Sequence, residues 1–415
     1  MATDTPASPD SRSVAEHLSA VLGTVTRLPA VSVDLDRARG LVLAEDVRAR
    51  TAIPPFDNSA MDGYAVRRDD LLQASETAPV TLPVVADLAA GTAWNPVVAA
   101  GTAARIMTGA PVPDGADAVV PIEHTDQGTR VVSISRTPRE EAHIRRAGQD
   151  AAAGDTVLHA GVVMGPTRLA AAASAGHPLV LAHPSPRVAV ISTGSELVVP
   201  GSATLRGQIP DSNSFLLAAA VASAGGLPVR IGAVPDDPDT LRELLAAQVG
   251  AVDAIVLSGG VSVGAYDVVK AVLAPLGTVA FVPIRMQPGK PQGFGRWPDG
   301  PVIFALPGNP VSAFVSFEAF VRPALRRMLG HADLHRPTMT ATVVGGWLSP
   351  MNRAQYMPVT VDGSGGGGVT VRRATSGGAG SHLVAGLGRA DGLAIVPEGI
   401  ARVADGDTVT VMLTG

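Results

Sequence analysis

The sequence predicts a multidomain α/β protein, and three observations predict it. Strand and helix patterns alternate from Arg187 to about residue 330, as parallel βαβ units of a doubly wound domain would. Short Val/Ile/Thr runs, broken by Gly-Thr, Pro-Asp-Gly and Asp-Gln-Gly turns, fill the stretch from Pro54 to about 147 and read as a small β-rich domain. After about residue 332 the helical signal stops and short strand patterns remain. A chain of 415 residues has room for about two to four domains, at about 100–200 residues each.

The elements follow in order. Ser13-x-x-Glu16 is a capping box, and Val14, Leu18, Val21 and Leu22 follow at helical spacing, so residues 13–23 are expected as a helix. A second helical pattern covers about 36–45. Within the β-rich stretch, 119–122 and 131–135 read as strands. Residues 165–176 return to helix. Strand 188–192 precedes a glycine turn, and Asp211-Ser-Asn caps a helix that ends at Gly225-Gly226. Strand 229–234 leads to helix 238–248. Strand 254–257 runs into Ser258-Gly-Gly and a further helix. Strand 302–306 meets Pro307-Gly-Asn-Pro, and a helix starts near Val311. The tail carries strands at 339–344, 355–361, 369–373, 393–396 and 408–413, with the glycine tract 364–368 as a flexible hairpin loop. It reads as a compact β-barrel or sandwich.

Composition narrows the function. Hydrophobic residues are 46% and aromatics only 3%, so the cores are built from Ala, Val and Leu. A net charge of −5 argues against a general nucleic-acid binder, which needs a basic face. There is no cysteine, hence no disulfide, no thiolate metal site and no Cys nucleophile. That fits a cytoplasmic protein. The first eleven residues are polar, lack an apolar core of signal-peptide type and are expected to be disordered. No run of about 18 apolar residues is uninterrupted, so no membrane span is expected. Arginine replaces lysine everywhere except at Lys270 and Lys290. A compact ammonium in the loop Gln287-Pro-Gly-Lys-Pro291 suits phosphate or oxyanion binding.

Several segments carry chemistry. Pro55-Phe-Asp-Asn-Ser-Ala-Met-Asp-Gly-Tyr-Ala-Val66 is too polar for a core strand and too specific for a linker, and it holds Asp62 at a fixed place. Leu257-Ser-Gly-Gly-Val-Ser-Val-Gly264 and Leu306-Pro-Gly-Asn-Pro-Val-Ser312 each follow a strand and precede a helix. Both therefore read either as anion cradles or as ordinary βα turns. Asn309 suits the N-cap and Pro310 the first helical position. No known nucleotide fingerprint is matched: Lys290 is followed by Pro291 and not by Ser or Thr, and there is no strand-borne G-x-G-x-x-G. Asp62, Glu196, Asp236 and Asp267 stand at loop positions. Scattered carboxylates beside anion cradles are what a Mg²⁺–phosphate site needs, although Asp236 or Asp237, and Asp267, also read as helix caps. Met107-Thr-Gly-Ala-Pro-Val-Pro113 is a stiff turn bearing the Thr108 hydroxyl. Arg145-Arg146 reads as a phosphate clamp or a solvated pair. His331 and His335 have metal-ligand spacing without supporting Cys or Glu, and read as surface residues.

Taken together, PFDNSAMDGYAV, RIMTGAPVP, IRRAGQD, VAVISTGSEL, PDSNS, LSGGVSVG, QPGKP, LPGNPVSA and GSH, in that order, resemble the MoeA/gephyrin E-domain family, the molybdopterin molybdenumtransferases, from residue 13 to the end. The resemblance implies an elongated helical domain (12–53 and 148–185), a β-rich lid (54–147), an α/β molybdopterin-binding domain similar to adenylyltransferases (186–331) and a C-terminal β-barrel (332–415). It implies a homodimer, with the lid of one subunit facing the last two domains of the other. The implied reaction inserts molybdenum from molybdate into adenylylated molybdopterin, with release of AMP. The implied partners include a molybdopterin adenylyltransferase, with no nucleic acid and no membrane. Lys290, Ser262, Ser312, Arg353 and Ser381, beside Pro291, would hold the oxyanion. Glu196 and Asp267 would hold Mg²⁺. Ser258, Gly259, Gly260 and Asn213 would cradle the nucleotide. Asp62 and Asp236, with Thr108 and Lys290, would carry the catalysis.

The sequence departs from the family twice. Gln287 stands where the family has lysine, with Arg285 as a candidate replacement, because residues two apart on a strand share a face. Ala265 stands where the family often has an acidic residue. These changes motivate a second reading, a molybdopterin-binding scaffold or weakly active paralogue. A third, an adenylyltransferase built on residues 186–330 alone, leaves the lid and the barrel unexplained.

Overall fold

The structure is a computed structural model that describes residues 11–261, 267–363, 368–377 and 380–414. The expectations for residues 1–10, Ser262, Gly264, Ala265 and the tract 364–367 lie outside the described residues. The chain divides into two compact units, Ser32–Arg39 with Glu45–Leu181, and Met1–Val31 with Gly40–Ala44 and Ala182–Gly415.

The first of these is built on a five-stranded sheet ordered Ala118–Pro121, Gly63–Val66, Ala103–Ile106, Val80–Leu88, Val131–Ile134. Side-chain alternation along Gly63–Val66 sends Tyr64 and Val66 into one core with Leu82 and Ile134. Ala65 enters another with Leu88 and Ile106. The apolar end of the PFDNSAMDGYAV segment is thus a central strand, and its polar start contains a two-residue strand, Asn58–Ser59, paired with Ile144–Arg145. A helix spans Pro166–Ser174, with proline in its first turn.

In the other unit the helix Val14–Thr24 carries the expected capping box. The Glu16 N–H donates to Ser13 Oγ at 3.1 Å, and the Ser13 N–H donates to Glu16 Oε2 at 2.7 Å. The helix expected at 36–45 does not form. Leu35–Arg37 is one 3-10 turn, and Val42–Leu43 is a buried strand paired with Ala182 and His183. Pairing and burial there override a weak local helical pattern.

The main sheet runs Leu227–Val234, Arg187–Thr193, Ala254–Ser258, Val302–Leu306, Pro291–Arg296, Val279–Pro283. The first four strands are parallel, as expected, and the last two are antiparallel. Those last two strands were not expected, because Pro283, Pro291, Gly293 and Gly295 obscure the strand pattern. The strands Arg187–Thr193, Ala254–Ser258 and Val302–Leu306 are apolar at consecutive positions because both faces are covered, while the edge strand Leu227–Val234 is partly exposed. Val188, Val190, Val256 and Phe304 pack with Leu217, Val221 and Phe317. Ala189, Ile191, Ile255 and Ile303 pack with Leu241, Leu245 and Val269.

The tail closes into a five-stranded barrel of Ala354–Asp362, Thr370–Arg373, Thr338–Val343, Thr408–Leu413 and Gly392–Val396, which returns to Ala354–Asp362. Two links tie it to the α/β layer. Met286–Gln287 pairs with Ala354 and Gln355. Buried Glu318 accepts from Arg322 at 2.7 Å and from Arg336, just before the first barrel strand, at 3.0 and 3.1 Å.

Candidate functional site

In an open α/β sheet, ligands bind beyond the carboxyl ends of the strands, where neighbouring strands send their connections in opposite directions. Here that place lies between Arg187–Thr193 and Ala254–Ser258, since the chain returns from the first to Leu227–Val234 on one side and reaches the second on the other. A cavity of about 1120 Å³ opens there. Its walls come from Thr193, Gly194 and Glu196, from Asp211–Asn213, from Asp236, and from Ser258–Val261 with Asp267. Further walls come from Met286–Pro291, from Pro307–Pro310 with Ser312, and from Arg353, Gly380–His382 and Val384 of the barrel region.

Local geometry explains each wall. Gly259 has φ +100°, and a Cβ there would lie 2.4 Å from the Thr193 carbonyl oxygen, so only glycine lets these two loops meet. Its N–H donates to the Leu306 carbonyl, joining the third and fourth parallel strands at their ends. The loop 287–291 is held from below by buried Gln292, whose Nε2 donates to the Gly289 carbonyl at 2.7 Å and to Ser316 Oγ at 2.6 Å. Lys290 is thereby exposed on a fixed backbone. Asn309 is the N-cap of the helix Pro310–Ser316 by position, but its side chain turns to the barrel region and donates to Ser381 Oγ at 2.8 Å. The Val311 N–H donates to the Ser381 carbonyl at 3.0 Å. The barrel region is thus bonded to the rim of the α/β sheet at the mouth of the cavity.

The charges are sorted by origin. Glu196, Asp236 and Asp267 come from the parallel-strand connections, Lys290 from the antiparallel edge and Arg353 from the barrel. Among the described residues, neither Lys290 nor Arg353 forms an ion pair. Asp236 does not cap the helix Pro238–Gln248; Asp237 does, accepting from the Thr240 N–H at 2.8 Å. Asp236 instead exchanges bonds with Ser195, accepting from its N–H at 2.9 Å. Asp267 also makes no cap bond. Its Oδ2 is buried without a partner among the described residues. Burial pushes its carboxyl above the usual carboxylate range; Lys270 opposes this and Asp236 adds to it. A sheltered, unsatisfied carboxylate near a second one fits a divalent cation with phosphate and water ligands, since Mg²⁺ needs only one or two carboxylates. No group of three or more His, Asp or Glu forms a metal cage among the described residues.

Of the expected residues, the cavity brings together Glu196, Asn213, Asp236, Ser258, Gly259, Gly260, Asp267, Lys290, Pro291, Ser312, Arg353 and Ser381. Asp62 and Thr108 belong to the other unit and are joined to each other. Asp62 Oδ1 accepts from the Thr108 N–H and from its Oγ1, both at 2.7 Å. The backbone bond, then the hydroxyl bond, hold the exposed Asp62 carboxyl below its usual range. Around it, Asp57 accepts from the Ala147 N–H at 2.8 Å and pairs with Arg146, which also pairs with Glu141. Arg146 is therefore a structural partner of this loop and not a free clamp. Arg285 does not replace the missing lysine: it is bound to Glu398 at 3.0 Å and to the Ser11 carbonyl at 2.9 Å, while Gln287 lines the cavity. His331 is half-buried, and burial lowers its pKa to about 4. Residue-by-residue reading missed Thr193, Gly194 and His382, although each sits inside a quoted motif.

Family models match in chain order: the MoeA N-terminal region (domain I and II) at residues 12–176, a probable molybdopterin binding domain at 189–327 and the MoeA C-terminal region (domain IV) at 340–414. Molybdopterin molybdenumtransferase 2 of Mycobacterium tuberculosis is 44% identical over 96% of this chain and 99% of its own length. Molybdopterin molybdenumtransferase 1 of the same organism is 36% identical over 96% and 98%. The crystal structure of the molybdopterin biosynthesis MoeA protein from Pyrococcus horikoshii superposes with a TM-score of 0.81 at 31% identity, over 97% of this chain and 99% of that one. With three family models matched in order along most of the chain, the cavity at the switch point and the barrel bonded to its rim, this chain belongs to the MoeA family, the molybdopterin molybdenumtransferases.

Proposed function

We propose that this chain transfers molybdenum from molybdate to adenylylated molybdopterin and releases AMP. The observation that carries this reading is the sorting of charge in one large cavity. Carboxylates from the parallel-strand connections share it with the cations Lys290 and Arg353, neither of which is ion-paired among the described residues. A phosphoanhydride needs its charge neutralised and a tetrahedral oxyanion needs cations and hydroxyls, and this set supplies both. Lys290, Arg353, Ser312 and Ser381 bind molybdate beside Pro291, with Ser262 a further candidate. Ser258, Gly259, Gly260 and Asn213 hold the nucleotide end. Glu196 and Asp267 hold Mg²⁺, which when bound neutralises phosphate charge. Asp236 and Asp62, the latter fixed by Thr108, supply carboxylates to the reacting end.

Asp62 reaches the cavity of a second subunit in a homodimer. The substrate comes from an adenylyltransferase, and the setting is cytoplasmic. No helix among the described residues is long and apolar enough to cross a membrane. The test is AMP release from freshly prepared adenylylated molybdopterin, with molybdate, tungstate or neither, with and without Mg²⁺. Release that requires both the oxyanion and Mg²⁺ is expected; none under any condition sinks the proposal. Gln287 in the cavity and Arg285 bound to Glu398 leave this wall one cation short. That favours, as second reading, a scaffold that binds molybdopterin without turnover. Tight pterin binding with no AMP release would select it.

A further inference from the structure

We propose that His382 is a further catalytic residue, the proton carrier for the oxygen that leaves molybdate. The inference rests on the reaction proposed above. In that reaction two Mo–S bonds form and one Mo–O bond breaks. The oxygen departs as water, taking the two protons of the dithiol, a water cleaves the phosphoanhydride as AMP leaves, and no oxidant or reductant is required. A group must pass protons from sulfur to oxygen inside the cavity. Such a group works best when its pKa lies near the working pH.

Among the described lining residues, one side chain suits that task and has no other. Of the charged lining groups, Glu196 and Asp267 are assigned to the cation, Lys290 and Arg353 to the oxyanion, and Asp236 exchanges hydrogen bonds with Ser195. His382 alone among the described lining residues is an imidazole, a side chain whose two ring nitrogens can hold and pass a proton. Asp62 is unsuited to donating a proton, because Thr108 holds its carboxyl ionised.

The backbone around His382 is anchored and its ring is not. On one side, the Ser381 carbonyl accepts from Val311 and Ser381 Oγ accepts from Asn309. On the other, the His382 carbonyl accepts from the Val384 N–H at 2.9 Å. The imidazole itself is exposed and has no hydrogen bond among the described residues. It adjoins Ser381, a proposed oxyanion ligand, and lines the same cavity. A histidine serving only to build the barrel would be packed or bonded.

The experiment follows molybdate-dependent AMP release by the full-length protein carrying His382→Ala or His382→Gln, across pH 5.5–9. The expected result is a fall in kcat of about 10²-fold with little change in the KM for molybdate. The pH dependence of kcat should differ from that of wild type, and added imidazole should partly restore the rate of His382→Ala. A kcat within about twofold of wild type, or an unchanged pH profile, overturns the proposal. Loss of rate without imidazole rescue, with a raised molybdate KM, would make His382 a binding residue and also overturns it. If wild type releases no AMP, the proposed function fails and this role falls with it; active wild type beside unaffected variants removes this role alone.

Discussion

Asp62 and Asp267 are both loop carboxylates, and the protein treats them in opposite ways. Asp62 is exposed, is given two hydrogen bonds by Thr108, and stays ionised below its usual pKa. Asp267 is sheltered, has an oxygen with no partner among the described residues, and is pushed above its usual pKa. A satisfied carboxylate is complete as it stands and serves as a fixed charge. An unsatisfied one is unfavourable until a cation arrives, so its cost in the free protein becomes affinity for the ligand. The difference separates a positioned charge from a candidate cation ligand, and three substitutions test it.

Asp62→Asn should have the largest effect. The amide keeps the shape but removes the charge, and AMP release is expected to fall by about 10²–10³-fold. Folding should be intact, because Asp62 is exposed and the neighbouring strand Gly63–Val66 is held by its own pairing and core. Retained activity with an unchanged melting temperature would show that the Asp62 charge has no part in the chemistry.

Asp267→Asn should act less on rate and in the reverse direction on stability. Without Mg²⁺ the variant should melt no lower than wild type, since an unpaired charge has been removed. The sign follows from linkage. A carboxyl with a raised folded pKa binds its proton more tightly in the folded state, so stability falls as pH rises from the unfolded value through the folded one. The variant should lose that fall, and should also lose most of the upward shift in melting temperature that Mg²⁺ gives wild type. AMP release should drop by about 10-fold or more at limiting Mg²⁺, with partial recovery at high Mg²⁺. An unchanged Mg²⁺ shift would remove Asp267 from the cation site.

The contrast between these carboxylates was only half legible in the sequence. The alternation of strands and helices located the parallel sheet, because both faces of its three inner parallel strands are buried and their runs are continuously apolar. Glycines and prolines hid the two antiparallel strands next to it, whose pairing depends on neighbours distant in sequence. Capping illustrates the same limit. Asp236, Asp237 and Asp267 all precede helices and look alike, yet Asp237 alone caps. Which one caps depends on backbone angles and on Ser195, some forty residues away in sequence. Arg285 sits two residues from Gln287 and looked able to replace a lysine, but Glu398, contributed by the barrel region, takes it. Motif order identified the family, while partners set the state of each charge.

Thr108→Val should have the smallest effect, and it tests how the Asp62 charge is held. The Thr108 N–H contributes more to lowering the Asp62 pKa than the hydroxyl does, and valine keeps that N–H. Asp62 should therefore remain in place and ionised at neutral pH, with AMP release reduced by less than about tenfold. The acid side is where the change should show. A lowered carboxyl pKa preserves the charge as pH falls, and losing the hydroxyl bond moves that pKa back up. The acid limb of the pH–rate profile should then shift to higher pH in Thr108→Val while the alkaline limb stays where it is. If instead the loss equals that of Asp62→Asn at every pH, the hydroxyl acts on the substrate itself, and Thr108 is more than the support of Asp62.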